Sequence, residues 1–91
     1  MPSKQLTVAG VERESAARPG KRKEIFDTVQ KGLALRVTEK RAKSWAIYYY
    51  DPTGKHRRYT IGRYPDIALE TARARAEEAQ RAVREGLAPD H

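Results

Sequence analysis

Basic and aromatic side chains recur at alternate positions in the middle of this chain, and their chemistry suits an anionic partner. A guanidinium donates paired hydrogen bonds to a phosphate or to a guanine edge, whereas lysine mainly neutralises phosphate. Tyrosine and threonine hydroxyls add single hydrogen bonds to bases or backbone. The candidate DNA-contacting residues are Arg36, Thr38, Lys40, Arg41, Lys43, Tyr48, Tyr50, Lys55, His56, Arg57, Arg58, Thr60 and Arg63.

A β-hairpin is the element that must position most of these side chains. The segments Ser44–Tyr50 and His56–Ile61 both alternate, and they flank the sequence Asp51-Pro52-Thr53-Gly54. Asp at the first position of a turn, Pro at the second and Gly at the fourth favour a type I turn. Gly54 supplies the positive φ that closes a three-residue loop with a bulge.

The turn also predicts the register of the hairpin. If Asp51 faces Lys55, the pairs run back from Tyr50–His56, through Tyr49–Arg57, Tyr48–Arg58, Ile47–Tyr59 and Ala46–Thr60, to Trp45–Ile61. Because successive side chains point to opposite faces, one face receives Trp45, Ile47, Tyr59 and Ile61, which are suited to a core. The other face receives Tyr48, Tyr50, His56, Arg58 and Thr60. A slip of one residue would mix the two sets, so this sorting supports the register.

Two further strands are predicted before the hairpin. Glu24–Val29 is a short strand expected at the edge of the sheet, with Ile25, and as a second candidate Phe26, available for packing. Leu33–Thr38 alternates clearly, with leucine and valine inward and Arg36 and Thr38 outward. The strands therefore follow one another as an antiparallel meander.

A helix is predicted from Ala68 to Glu85. Its apolar stripe steps by three and four residues and consists of Leu69, Ala72, Ala76, Ala79 and Val83. Asp66 is a candidate cap for the start, and Gly86 is placed to end the helix. The charged residues Arg73, Glu77, Arg81 and Glu85 are predicted to form a solvated outer face.

The fold class that these elements predict is α+β. A three- to four-stranded antiparallel β-sheet, a meander, has one C-terminal α-helix packed on one face, and its other face stays open. Residues 1–23 are predicted as an extended leader with a basic loop, in which Leu6, Val8 and Val11 can contact the sheet and Thr7 can cap one helical turn. Residues 24–87 are predicted to form the sheet-plus-helix domain, and residues 88–91 follow it. Lys21-Arg22-Lys23 is either a phosphate-contacting arm or a solvated loop.

The charge and composition of the chain restrict the classes of partner and of function that it can have. Residues 1–63 hold 15 Lys and Arg against 6 Asp and Glu, while residues 64–91 hold 4 against 6, so the charge is +9 in the first part and −2 in the second. This polarity points to a phosphate-bearing partner. No cysteine is present, which fits a reducing cytoplasm, and neither an apolar span nor a metal-spacing pattern is found. We predict no membrane contact, no small-molecule substrate, no cofactor and no catalysis, since three successive tyrosines alternate in direction and share no site.

The residues collected above resemble the N-terminal arm-type DNA-binding domain of phage and genomic-island integrases, which are tyrosine recombinases. The resemblance extends from Leu6 to Pro89. It rests on pieces in a fixed order: Leu6-Thr7, Glu24-Ile25-Phe26-Asp27-Thr28, Gly32–Val37, Lys43-Ser44-Trp45, Tyr49, Arg58–Pro65, Leu69 and Ala72-Arg73.

The resemblance implies a domain that docks its strands in the major groove of arm-type sites, as the non-catalytic module of a larger enzyme. It also implies that residues 88–91 begin a linker to C-terminal domains absent from this sequence. Double-stranded DNA is then the partner, with other integrase subunits as further partners. Two positions depart from the family pattern: Ala68 replaces the usual Ser or Thr before the helix, and Ala88 replaces Asp before Pro89. Two alternatives stay open from the residues alone, namely a sheet that stacks single-stranded nucleic acid or RNA on tyrosines, and a protein-interaction module.

Overall fold

The computed structural model describes residues 3–89, which form five strands and two helices. The elements are β1 (Ser3–Lys4), α1 (Val8–Arg13), β2 (Lys23–Asp27), β3 (Leu33–Val37), β4 (Lys43–Tyr50), β5 (His56–Tyr64) and α2 (Leu69–Arg84). The predicted α+β class, with a C-terminal helix on one face of a mostly antiparallel sheet, is confirmed.

The sheet has five strands in the order β1-β2-β3-β4-β5 rather than the predicted three or four. Strands β2 to β5 form the expected antiparallel meander. The additional strand β1 pairs in parallel with β2, with Ser3 opposite Phe26 and Lys4 opposite Asp27. Glu24–Val29 was expected at the edge of the sheet, and that placement is wrong, because the N-terminal segment folds back and covers β2.

The β4–β5 hairpin forms around the predicted turn. Gly54 N–H donates to the Asp51 carbonyl at 2.8 Å, Asp51 N–H donates to the Lys55 carbonyl at 2.9 Å, and Gly54 has a φ of 85°. The Asp51 carboxylate accepts hydrogen bonds from the backbone N–H groups of Thr53 and Lys55. The register from Tyr50–His56 to Ala46–Thr60 matches the prediction pair by pair.

A β-bulge interrupts this register at one end. Trp45 pairs with Gly62, so the predicted Trp45–Ile61 pair is wrong, and Ile61 is the extra residue in β5. Ile67 packs against Gly62 so closely that a Cβ at position 62 would clash with its side chain. The inserted residue exchanges the faces of the β5 residues after it, because side chains alternate along a strand. Arg63 therefore lies opposite Ser44, on the side of the sheet away from α2.

The core lies between the sheet and α2. Leu33, Leu35, Val37, Trp45 and Ile47 are fully buried there. Tyr59 and Ile61 pack against this core while only partly buried. The α2 residues in contact are Leu69 and the alanines of the predicted stripe, whose small side chains let the helix lie close to the strands.

Both ends of α2 can be explained from local contacts. Ala68 is the N-cap and makes no side-chain hydrogen bond, so the prediction that Asp66 caps the helix is wrong. At the other end, Leu87 N–H donates to the Ala82 carbonyl at 2.8 Å and Gly86 N–H to the Val83 carbonyl at 3.0 Å. These two bonds form a Schellman motif, and Gly86, with a φ of 80°, ends the helix as predicted.

The N-terminal segment is folded over its described length instead of being extended. Thr7 caps α1 as predicted, because its hydroxyl accepts a hydrogen bond from Gly10 N–H at 3.0 Å. Leu6 and Val11 are buried in the core, whereas Val8 is 63% exposed. The division of the chain at residues 23 and 87 stays a prediction.

A buried ion pair joins this segment, the sheet and α2. The Asp27 side chain is fully buried and accepts two hydrogen bonds from Arg73, at 2.8 and 3.1 Å. Backbone N–H groups of Leu6, Val29 and Gln30 also donate to it. Arg73 was predicted on the solvated face of the helix. That prediction is wrong, since its guanidinium also donates to the Leu6 carbonyl at 2.8 Å.

Candidate nucleic-acid interface

The face of the sheet opposite α2 carries most of the predicted contact residues. Cross-strand pairing places Glu24, Arg36, Ser44 and Arg63 in one row across β2, β3, β4 and β5. The next row contains Phe26, two alanines and Thr60. The open face is defined here as Glu24, Phe26, Arg36, Ser44, Tyr48, Tyr50, His56, Arg58, Thr60 and Arg63.

Aromatic rings form a continuous ladder across this face. The centroid of Tyr48 lies 5.4 Å from that of Phe26 and 5.5 Å from that of His56, with Tyr48 and His56 stacked at 19°. Tyr50 continues the ladder, 5.0 Å from His56. The rings therefore pack against one another, face to face only between Tyr48 and His56. Tyr50 is 69% exposed and is the ring most available to a partner.

A carboxylate lies within the basic face. Glu24 Oε2 is 3.4 Å from Arg36 Nε, and the Tyr48 hydroxyl donates a hydrogen bond to the same oxygen. Burial, together with the Glu24 hydrogen bond, raises the pKa of the Tyr48 hydroxyl, so Tyr48 remains a neutral donor. To reach Glu24, the Tyr48 ring must extend across the row that contains Ala34 and Ala46, which are fully buried.

The remaining side chains of the open face point to solvent. Arg58, Thr60, Arg63 and His56 are all exposed, as is Tyr50. Arg58 lies opposite Tyr48, and Arg63 reaches this face through the bulge. The exposed guanidinium groups of Arg58 and Arg63, together with the hydroxyls of Tyr50 and Thr60, are thus presented to solvent on one face of the sheet.

The residues predicted at the rim differ in whether their side chains are exposed and unpaired or already bound to another group of the chain. Lys40 and Lys55 are exposed, and their ammonium groups make no ion pair within residues 3–89. The Thr38 hydroxyl accepts a hydrogen bond from Ala42 N–H at 3.0 Å and so holds the β3–β4 turn. Arg57 is exposed but is paired with Asp51, 2.8 Å from Nε to Oδ2. Hydrogen bonds from the Thr53 hydroxyl, and then from Arg57, hold the pKa of the Asp51 carboxyl well below its usual range.

Arg41 and Lys43 are directed to the end of α1 instead of the open face. Lys43 Nζ donates to the carbonyls of Val11 and Glu12 at 2.7 and 2.8 Å, and burial lowers the pKa of its ammonium group. Arg41 donates to the carbonyls of Glu14 and Glu12. Lys43 pairs in register with Val37, a core residue, so its side chain lies on the α2 side of the sheet. Its predicted position at the rim of the open face is therefore wrong.

This placement leads to a prediction for Lys43→Met, which keeps the apolar stem and removes the ammonium. We expect a loss of about 2 kcal/mol in the free energy of unfolding, because two carbonyls lose a charged donor. Urea unfolding followed by tryptophan fluorescence measures this loss. The matched control is Lys40→Met, an exposed position where stability should change by less than about 0.5 kcal/mol. A stable Lys43→Met variant with weaker DNA binding would contradict this role.

Sequence reasoning missed Glu24, Phe26 and Ser44 as members of the open face. A signal for them was present, because Ile25 pointing inward requires its neighbours in β2 to point outward. The pairing of β2 with β3 then brings Glu24 opposite Arg36.

Two shallow grooves adjoin the open face. One, of about 610 Å³, is lined by residues of the β3–β4 turn and the end of β5, including Ser44 and Arg63. The other, of about 730 Å³, lies along Ser15–Glu24 and includes Lys21 and Arg22. Within residues 3–89, no cluster of three potential metal ligands is present. The same part of the chain has no helix of the length and apolarity needed to cross a membrane.

The fold and the open face define a small α+β domain with a basic, aromatic sheet surface. The Arm DNA-binding domain family matches residues 6–91, and the chain belongs to this family. The chain is also similar to the integrase of Enterobacteria phage P4, with 36% identity over 59 residues. That match covers 64% of this chain and 13% of the phage integrase, so the chain corresponds to a small part of that protein.

Proposed function

We propose that the open face binds double-stranded DNA in a sequence-specific way, by entering the major groove of arm-type sites. The observation that carries the proposal is the set of exposed arginines, Arg58 and Arg63, which lie on the open face beside Arg36. Membership of the Arm DNA-binding domain family supports the same partner. The resemblance to a phage integrase supports the further proposal that the chain is the non-catalytic N-terminal module of a tyrosine recombinase acting on a mobile element.

Three neighbouring strands of the five-stranded sheet are narrow enough, measured between their axes, for the proposed groove. Neighbouring strands lie about 4.8 Å apart, so the axes of β3, β4 and β5 span roughly 10 Å. The major groove of B-DNA is about 12 Å wide and admits a β-ribbon. Arginines on these strands can therefore reach base edges. Lys40, Lys55 and Arg57 at the ends of the strands would contact the phosphates on either side.

Arg58 is proposed to read a base, which gives a specific expectation. Arg58→Ala should weaken binding to the preferred duplex by about 1–3 kcal/mol and relax selectivity at one base pair. Arg75→Ala is the matched control, because Arg75 is an exposed α2 residue without an ion pair to residues 3–89 and carries the same charge. Fluorescence anisotropy with duplexes changed at single positions measures both effects. Equal losses on every duplex would reject a base contact.

The alternative of a single-strand or RNA-binding sheet requires free aromatic faces. Tyr48 has its ring placed between Phe26 and His56, and its hydroxyl is bound to Glu24. Opening that ladder to accept a base would cost these contacts, whereas duplex binding requires only the exposed edges and cations. These contacts argue against Tyr48 as a stacking platform and to that extent support the duplex proposal. Tyr50 is 69% exposed, so its ring is tested by the single-strand comparison below.

The test of the proposed function is a salt series of binding. Duplexes from the flanks of the element's attachment site should be compared with scrambled duplexes and with the corresponding single strands. We expect preference for the flank duplex and a steep linear fall of log affinity with log salt, because phosphate contacts release counterions. Preference for single strands would favour the stacking alternative. Binding that is insensitive to salt would instead favour a protein-interaction module between integrase subunits.

A further inference from the structure

Glu24 is an unexpected member of a surface proposed to meet DNA, because its charge repels phosphate. It is the one acidic residue of the open face as defined above. It contacts two members of that face at once, Arg36 and Tyr48. Its side chain is 25% exposed and that of Arg36 is 16% exposed, so the pair is partly withdrawn from water.

The geometry around Arg36 is unusual. Arg36 Nε is buried and, alone among the buried side-chain nitrogen and oxygen atoms of residues 3–89, lacks a hydrogen-bond partner. Arg36 Nε lies 3.4 Å from Glu24 Oε2, so the two groups form an ion pair, but their geometry does not meet the criteria of a hydrogen bond. The two Nη nitrogens make no hydrogen bond within the described chain and are not buried. The inner edge of the guanidinium is thus fixed by charge, while its outer edge remains unoccupied.

We propose that Glu24 is a positioning residue for DNA selectivity, which holds Arg36 so that its Nη edge faces the bases and keeps that guanidinium from phosphates. This inference rests on the proposed function of the open face. A guanidinium anchored at Nε offers its two Nη groups to a paired acceptor such as O6 and N7 of guanine. An unanchored arginine would instead turn to the nearest phosphate, which every duplex offers equally.

The Tyr48 hydroxyl completes this arrangement. It donates to the same Glu24 oxygen that faces Arg36, so the carboxylate is held by two groups from neighbouring strands. The Tyr48 ring is in turn packed between Phe26 and His56, which limits its movement. The orientation of Arg36 is therefore determined by side chains from β2 and β4, and not by its own flexible stem.

The variant that tests the proposal is Glu24→Gln, which has the same shape, can still accept from Tyr48 and removes the charge. We expect affinity for scrambled duplexes to rise several-fold. The ratio of affinities for the flank and scrambled duplexes should fall about tenfold, as for the loss of one good paired contact. The slope of log affinity against log salt should also steepen by about 1, because Arg36 gains a phosphate.

The matched control is Glu78→Gln, which removes one negative charge at an exposed α2 position and should leave the selectivity ratio unchanged. The double variant Glu24→Gln with Arg36→Lys should be no less selective than Glu24→Gln alone, since both changes remove the same paired contact.

Three outcomes would overturn the proposal. In the first, the wild-type protein is selective and Glu24→Gln keeps both its selectivity ratio and its salt slope. In the second, Glu24→Gln loses affinity for the flank duplex alone at an unchanged salt slope, which would show that Glu24 itself touches a base. In the third, the wild-type protein shows no preference among duplexes, which would reject the proposed function together with the role of Glu24. The first two outcomes leave the proposed function intact.

Discussion

Replacing Asp27 with alanine is expected to lower the free energy of unfolding by about 3–5 kcal/mol, because it leaves Arg73 without its buried partner. The change also leaves three backbone N–H groups without their acceptor, those of Leu6, Val29 and Gln30. Small domains are stable by only about 5–15 kcal/mol, so the variant should lie close to its unfolding transition at room temperature. Chemical denaturation followed by circular dichroism measures the loss.

The matched control is Glu70→Gln, which removes the other carboxylate that contacts Arg73. Glu70 is 81% exposed and lies 3.3 Å from Arg73 Nη1, so its contribution should be below about 1 kcal/mol. A loss at Asp27 no larger than the loss at Glu70 would contradict a structural role for the buried pair.

The pH dependence of the free energy of unfolding should also reflect the Asp27–Arg73 pair. Burial acts to raise the pKa of Asp27, but the hydrogen bonds from Arg73 and the backbone outweigh it, and the pKa lies below its ordinary value of 3.8. Because the pKa of Asp27 is lower in the folded state than in the unfolded state, its stabilisation is fully present at pH values above the unfolded-state pKa. The stabilisation is lost as the pH falls through the folded-state pKa. Asp27→Asn should therefore flatten, but not abolish, the acid limb of the stability curve. A lowered pKa at Glu14, caused first by Lys23, leaves a remaining acid dependence.

Replacing Trp45 with alanine should have an effect of similar size. Trp45 is fully buried, lies edge-on to Tyr64 with centroids 6.4 Å apart, and donates from Nε1 to the Ile67 carbonyl at 2.7 Å. Loss of so large a side chain from a core typically costs about 3–5 kcal/mol. Trp45 is the single tryptophan of the chain, so unfolding of the variant should be followed by circular dichroism.

Trp45→Phe separates the contribution of core packing from that of the hydrogen bond to the Ile67 carbonyl, since it keeps an aromatic ring and removes the indole N–H. We expect it to lose less than Trp45→Ala, with about 1–3 kcal/mol for the unpaired Ile67 carbonyl and the smaller ring. Equal losses for the two variants would show that the hydrogen bond, and not packing, dominates at this position.

The parts of the fold that were predictable are those in which local chemistry and periodicity agree. The turn Asp51–Gly54 determines its own backbone conformation, and its hydrogen bonds fix the register of the hairpin as far as Ala46–Thr60. The alanine stripe of α2 and its end at Gly86 likewise follow from residues within the helix. In these segments the conformation that each residue favours from its local sequence is the conformation that it adopts in the folded protein.

The parts that were missed depend on contacts distant in sequence. The two-residue strand β1 carries too weak a local signal to be predicted, and α1 was expected only as one helical turn capped by Thr7. The side chains of Lys43, Arg41 and Asp27 hold this N-terminal segment. The bulge at Ile61 is decided by Ile67 packing on Gly62, which no periodicity reveals. For the site, the face of each β4 and β5 residue was predictable up to the bulge, including Lys43, which shares a face with Trp45. The hydrogen bonds of Lys43 to the carbonyls of α1 were not predictable, because they join segments distant in sequence. The contact roles of the open-face residues stay predictions.

The bulge has a consequence for how such a domain can diversify. Upstream of it, the hairpin register is secured by the turn. Downstream, the face on which each residue lies depends on one inserted position. If the bulge were replaced by regular pairing, with Ile61 opposite Trp45, Arg63 would lie opposite Lys43 on the α2 side and Gly62 would lie on the outer face, while Arg58 and Tyr48 keep their places. Substitutions that remove the bulge without changing the length of the chain would therefore change one end of the open face and leave the rest of it intact.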